Sequence, residues 1–306
     1  MIQKYKFGKP FETEAVVRDI PCAEGMPKYG NINLEKGFRF TYEMQEKDMF
    51  VKDSQSDEPG IGTWWGGKGM FVDFTKASTR EEWKELLKEN VLDYGTNSVW
   101  NDNCEYDSMV DKDCRCSFEG KGGTIGQLKA VMSNIMCHVT DEAIQETFGN
   151  QRPYIVCRSG HSGIQKYAQT WAGDNLTCWD SLKYNIATIL GMSLSGVANQ
   201  GCDIGGFYGP APEAELLVRW IQNGIFQPRF SIHSTNIDNT VTEPWMYSGC
   251  KEEIRQAIEF RYQMIPYLYS LMELDFLLWS PCAVLSSMTA SVTMRVWTLC
   301  SETLCW

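Results

Sequence analysis

Short apolar stretches alternate, through the middle of the chain, with longer segments whose apolar residues fall at helical spacing. Ser98-Val99-Trp100 reads as a short buried strand running into the polar Asn101-Asp102-Asn103. Tyr154-Ile155-Val156-Cys157 runs into Arg158-Ser159-Gly160, and Ala168-Gln169-Thr170-Trp171 runs into Gly173-Asp174-Asn175. A fourth strand is predicted over 193–198, ending near Cys202-Asp203-Ile204-Gly205-Gly206. Ser78-Thr79-Arg80-Glu81 has the form of a capping box, and Trp83, Leu86, Leu87 and Val91 follow at helical spacing, so a helix is predicted over 79–92. Further helices are predicted over 124–147, 178–190, 212–223 and 252–272. In the last of these Tyr262, Pro266, Tyr267 and Tyr269 read as packing residues. Residues 1–60 carry no clear period and predict loops with a few short elements. Residues 60–69 read as a glycine-rich loop; no Gly-Lys-Ser/Thr ends it, so it is not a phosphate loop.

Strand, polar tip, helix, repeated, is the pattern of a parallel sheet with helices outside it, which makes the fold class α/β. The polar residues gather at the C-terminal ends of the strands, where barrels of this kind build their active sites. Three aspartates stand at those ends: Asp102, Asp174 and Asp203. An isolated Asp at such a place usually caps a helix or turn. Three at successive strand ends, each beside Trp or Gly, point instead to carboxylates facing a substrate. A pair of carboxylates suits glycoside hydrolysis, one attacking the anomeric carbon while the other protonates the leaving oxygen.

Charge narrows the partners. The formal net charge is −11 over 306 residues, which disfavours nucleic acid and anionic membrane surfaces, since both are bound through Lys and Arg. No apolar run is long enough to predict a membrane span. The polar start, Met1-Ile2-Gln3-Lys4-Tyr5-Lys6, does not read as a secretory signal, so the 12 Cys are expected as reduced thiols in the cytoplasm. Cys104, Cys114 and Cys116 lack paired spacing and a neighbouring His, so no metal is expected. His138 and His161 read as surface or packing residues.

Trp100-Asn101-Asp102-Asn103-Cys104-Glu105 resembles the nucleophile motif of glycoside hydrolase family 31, the α-glucosidase and α-xylosidase family. Arg158-Ser159-Gly160, Gln165-Lys166-Tyr167-Ala168 and Thr170-Trp171-Ala172-Gly173-Asp174-Asn175 resemble its acid/base segment. Val72-Asp73-Phe74-Thr75, Cys202-Asp203-Ile204-Gly205-Gly206-Phe207, Arg219-Trp220-Ile221-Gln222-Asn223-Gly224, Pro228-Arg229-Phe230 and His233-Ser234 follow in the family's order. The resemblance implies that Asp102 is the nucleophile and Asp174 the general acid/base. It implies that Arg158, Asp203 and His233 hydrogen-bond sugar hydroxyls, and that Trp171 and Phe207 form the apolar wall of that subsite. Glu105 is read as a supporting group, and Cys104 departs from the Asn or Met expected there.

The implied fold is an incomplete (β/α)8 TIM barrel over 45–272, preceded by a poorly matched segment, 1–44. After Leu271-Met272 the composition shifts abruptly, with three Cys, three Trp and no Gly, and 273–306 is expected to be a frameshifted or otherwise non-native tail. A barrel short of strands is expected to expose sheet edges and core. The implied activity is retaining hydrolysis of terminal α-linked sugars through a glycosyl-Asp intermediate, with an α-glucoside favoured and no cofactor. α-Xyloside, α-galactoside or an N-acetylated sugar stay open, as do transglycosidase and lyase variants and a catalytically inactive or carbohydrate-binding remnant.

Overall fold

A computed structural model describes residues 43–64, 67–109, 111–149, 151–235 and 241–273. The expectations for 1–42 and for the tail over 274–306 lie outside the described residues. The chain divides into two compact units, Met1–Ala168 and Gln169–Trp306.

In the first unit β1 (Ile61–Trp64) and β2 (Gly67–Met70) pair antiparallel, with Ile61 opposite Met70. The sequence read this segment as a loop because glycine is depleted from strands. The ladder is nonetheless made by the main chain, which glycine supplies as well as any residue. Helix α1 (Ala77–Asn90) starts one residue before the predicted capping box, after Lys76, and its N-cap makes no side-chain hydrogen bond. Ser78 and Glu81 therefore lie inside the first turns. The helix buries Trp83 and Leu87, and the Trp83 ring meets Phe74 edge-on at 5.1 Å.

The strand β3 (Ser98–Asn101) is followed by a short hairpin of β4 (Arg115–Cys116) and β5 (Gly123–Thr124), then by α2 (Ile125–Phe148). A true capping box opens α2: the Thr124 side chain takes the main chain three residues on, and Gln127 Oε1 accepts from Thr124 N at 3.1 Å. Leu128, Met132, Met136, Val139 and Ala143 form its buried stripe, at steps of three and four residues, against α1, β3 and β6. β6 (Tyr154–Cys157) pairs with β3 in parallel, setting Trp100 beside Val156 and Asn101 beside Cys157.

In the second unit β7 (Gln169–Trp171), α3 (Trp179–Leu194), β8 (Gln200–Ile204), α4 (Ala214–Gly224), β9 (Arg229–Ile232) and α5 (Lys251–Glu273) follow one another. β7 pairs with β8 and β8 with β9, both in parallel. Cys202 and Ile204 from β8, with Leu216, Leu217, Trp220 and Ile221 from α4, are at the centre of the core. The strand predicted over 193–198 is corrected: Ser193 and Leu194 are the last residues of α3, and Gly196 turns the chain at φ +87°. The small and apolar residues there are a helix end and a return, and the strand begins at Gln200.

The packing expected of the α5 tyrosines is also corrected, since Tyr262 and Tyr269 are 69% and 63% exposed. Tyr267 and Pro266 are exposed too. Arg261 instead ties that helix down, donating to the carbonyls of Ile225, Gln227 and Pro228. No helix among the described residues is long and apolar enough to cross a membrane.

Gly201 shows how closely β8 and β9 approach. A Cβ there would lie 2.2 Å from the Arg229 carbonyl oxygen, a main-chain atom that cannot yield without parting the strands. Gly201→Ala is expected to lower stability by about 3 kcal/mol or more. A thermal midpoint unchanged within a degree would show that the two strands are not in this register.

Candidate active site

The first unit places its charged groups just past the paired ends of β3 and β6. Asp102 follows β3 directly, and its side chain is 28% exposed. Its Oδ1 accepts from Asn103 N at 3.0 Å, and Asn103 takes a left-handed conformation at φ +53°, one that Asn tolerates better than most residues. Arg158 follows β6, and its main-chain N–H donates to the Asn101 carbonyl, continuing the ladder. Its guanidinium then turns along the strand ends. Nε and Nη2 donate to the two oxygens of Glu105 at 2.7 and 2.8 Å, and Nη2 also donates to Asn103 Oδ1 at 2.9 Å. Nη1 faces Asp102 Oδ1 at 3.5 Å.

A planar guanidinium held along one edge by a carboxylate fork has little rotational freedom left. Arg158 thus presents a fixed positive edge to Asp102. Beneath, Asn101 is buried and donates to Thr140 Oγ1 at 3.1 Å and to Cys137 Sγ at 3.5 Å, anchoring β3 to α2. Asp73, part of the Val72-Asp73-Phe74-Thr75 motif, is buried and structural. It accepts from Thr75 N at 3.0 Å and Ser117 N at 2.7 Å.

The second unit carries the other residues singled out in the sequence. Asp174 is exposed on the segment after β7, one residue beyond Gly173 at φ +84°. That segment is pinned through main-chain bonds: the Asn175 carbonyl accepts from Phe207 N at 2.8 Å and Tyr208 N at 3.2 Å, and Thr177 N donates to Tyr208 O at 2.9 Å. A Cβ at Gly206 would meet Thr177 Oγ1 at 2.4 Å, and its φ is +85°, so only glycine lets the two segments close up. Phe207 and His233 bring their rings to 5.4 Å, and Thr235 N donates to the Phe207 carbonyl at 2.7 Å.

Asp203 lies within β8, not past its end, and is fully buried. Its Oδ1 accepts from Arg229 Nη1 at 3.1 Å, and the same nitrogen donates to Cys202 O at 3.1 Å. The Arg229 guanidinium also sits over the Trp171 ring at 5.4 Å. Arg229 therefore organises both Asp203 and Trp171. The sequence reading quoted it within Pro228-Arg229-Phe230 without giving it a role, and its place at the start of an apolar strand was the available signal. Asn103 was missed in the same way.

Cys104, Cys114 and Cys116 do not form a cluster. Cys104 packs on Cys157, whereas Cys114 lies near Asp53 and Asp111. Asp53 is committed to its own turn through Gln55 N and Ser56 N, and Asp111 to Ser54 Oγ and Asp113 N. His161 is exposed, while His138 stacks on Tyr167 at 4.8 Å and faces Glu142 at 3.4 Å.

Aspartates at and beyond the ends of parallel strands that alternate with helices fit the layout of barrel enzymes, which carry their polar residues at that face. The family profile described as the glycosyl hydrolases family 31 TIM-barrel domain matches residues 26–271, and the chain belongs to that family. Its fold is accordingly an incomplete (β/α)8 barrel. The chain is 32% identical over 277 residues to neutral alpha-glucosidase C of Mus musculus, covering 88% of this chain and 30% of that protein. It is 35% identical over 217 residues to alpha-glucosidase 2 of Bacillus thermoamyloliquefaciens, covering 69% of this chain and 27% of that one. Among solved structures it is similar to the Flavobacterium johnsoniae GH31 dextranase complexed with glucose, at a TM-score of 0.69 and 25% identity, covering 77% of this chain and 30% of that one. The chain thus spans about 30% of the length of the curated relatives it matches.

Proposed function

We propose that this chain carries the catalytic centre of a retaining α-glycosidase acting on terminal α-glucosides, with Asp102 as nucleophile and Asp174 as general acid/base. The observation that carries the reading is the fixed guanidinium of Arg158 facing Asp102, with Glu105 and Asn103 holding it there. In the first step Asp102 attacks the anomeric carbon and Asp174 gives its proton to the departing oxygen. In the second, Asp174 takes a proton from water, which releases the sugar from Asp102 with its original configuration. Arg158 and His233 supply hydroxyl contacts and Phe207 an apolar wall, while Asp203 and Trp171, both buried and joined by Arg229, act as supports. The α-glucoside preference follows the names of the relatives, which are alpha-glucosidases and a dextranase. The eight cysteines described are all free thiols, which supports placing the enzyme in the cytoplasm.

The test is hydrolysis of a chromogenic aryl α-glucoside with the first-formed sugar followed by proton NMR. Release of the α-anomer first supports the reading, and the β-anomer first overturns retention. A second reading, a remnant that no longer turns over sugar, draws on the chain's spanning only about 30% of its relatives. A folded chain that releases no aryl alcohol would decide for it.

Glu105 has a separate expected effect. Glu105→Gln keeps the shape but removes the charge that holds the Arg158 fork, and a misplacement of about 1 Å at a reacting centre costs on the order of 100-fold. We expect kcat/KM to fall about that much, with the loss mainly in kcat and the thermal midpoint moved by a few degrees at most. Activity within threefold of the parent would show that Arg158 is held without it.

A further inference from the structure

A pair of thiols lies directly beneath the charged groups of the first unit. Cys104 comes two residues after Asp102, and Cys157 immediately before Arg158. Both are fully buried, and their sulfurs are 3.1 Å apart. A disulfide bond is roughly 2.05 Å long, so the pair stands about 1 Å short of bonding. Each sulfur also has a main-chain carbonyl within reach: Cys157 Sγ donates to Ser159 O at 3.0 Å, and Cys104 Sγ to Asn101 O at 3.8 Å. Either sulfur can also donate to the other. A third buried thiol, Cys137 on α2, also hydrogen-bonds to Cys157, and it accepts from Asn101 Nδ2 at 3.5 Å.

We propose that Cys104 and Cys157 are a redox modification site, a dithiol that a small hydroperoxide converts to a disulfide and that thiol reductants reopen. The balance closes with hydrogen peroxide as the oxidant. The Cys157 sulfur attacks the O–O bond, giving a sulfenic acid and one water. The Cys104 sulfur then displaces the sulfenic oxygen, which leaves as a second water with the remaining thiol proton. Two thiols lose two electrons and two protons, and the peroxide gains them. A small neutral oxidant suits the site because both thiols are screened from bulk solvent. Both are also much weaker acids than an ordinary thiol, Cys104 through its contact with Cys157 and its burial, Cys157 chiefly through burial. They stay protonated at neutral pH, so the reaction is slow, on the scale of sustained oxidant exposure.

The cross-link would join the segment bearing Asp102 to the strand bearing Arg158. Closing the sulfurs by about 1 Å draws these two supports together. On the catalytic reading above, which this second consequence rests on, turnover falls roughly 10- to 100-fold.

The full chain, folded and reduced, is treated with hydrogen peroxide, digested without reductant and mapped by mass spectrometry. A peptide holding Cys104 joined to the one holding Cys157, two hydrogen masses lighter and separated again by dithiothreitol, supports the proposal. The link should vanish in Cys104→Ser and survive in Cys137→Ser. A Cys137–Cys157 link, or oxidation confined to the more accessible Cys178 with both buried thiols untouched, overturns it. Aryl α-glucoside turnover, measured before and after oxidation, reads the second consequence. A cross-linked protein that turns over at the reduced rate overturns that consequence alone. A reduced protein with no turnover counts against the catalytic reading, and the peptide map still decides the disulfide.

Discussion

Asp102→Ala is expected to lower kcat on aryl α-glucosides by at least about 10³-fold, because on the proposed reading the covalent step loses its nucleophile. The side chain is partly exposed, and of its contacts the bond to Asn103 N is internal to the turn, so the fold should survive its removal. The diagnostic part is rescue. Azide fits the space left by the missing carboxylate and attacks the anomeric carbon from the same face. An activated α-glucoside should then give a β-glycosyl azide, identified by its anomeric coupling in proton NMR. Activity within tenfold of the parent would remove Asp102 from the chemistry. An α-linked azide product would place the nucleophile on the other face of the sugar.

Asp174→Ala is expected to slow the enzyme by an amount that depends on the leaving group. A general acid contributes about 10²–10⁴-fold where the departing oxygen needs a proton. Disaccharides and alkyl glycosides should lose that much. A dinitrophenyl glycoside, whose phenolate departs unprotonated, should retain its first step and accumulate the glycosyl-enzyme, since the second step also uses Asp174. Main-chain bonds to Phe207 and Tyr208 hold the segment in the variant as in the parent. An equal loss on all leaving groups would assign Asp174 a structural task.

Much of this was readable from local pattern. β6 coincides with its predicted run, β3 runs one residue beyond its own, and both lead into the charged residues as read, since a short apolar run with a polar tip has few other meanings in an α/β chain. The span of α2, predicted over 124–147, was legible within a residue at each end. Part of what was missed follows from main-chain partners, which do not show in side-chain pattern. The β1–β2 ladder has glycine at three of its eight positions, and β8 was displaced into the end of α3 because small residues suit both a helix terminus and a strand. At the site, residue types gave the carboxylates, but the pairings came only from the structure. Glu105 clasps Arg158, and Arg229 is shared between Asp203 and the Trp171 ring. Arg229 stands 26 residues from Asp203 in the chain, and no local spacing rule brings such a pair together. A buried ion pair of this sort costs about 3–5 kcal/mol to break from one side, so it constrains substitution as firmly as the reacting groups do.

The main-chain stitching of the segment after β7 to the segment after β8 has an evolutionary reading. Leu176 and Tyr208 are bridged through their backbones, while their side chains are 42% and 48% exposed. Position is set by peptide groups that every residue possesses, so the side chains at these two places can drift without moving Asp174. Such a segment is a permissive locus: the surface beside Asp174 can change there one substitution at a time, while the main chain that carries Asp174 stays where its neighbours' amides have put it.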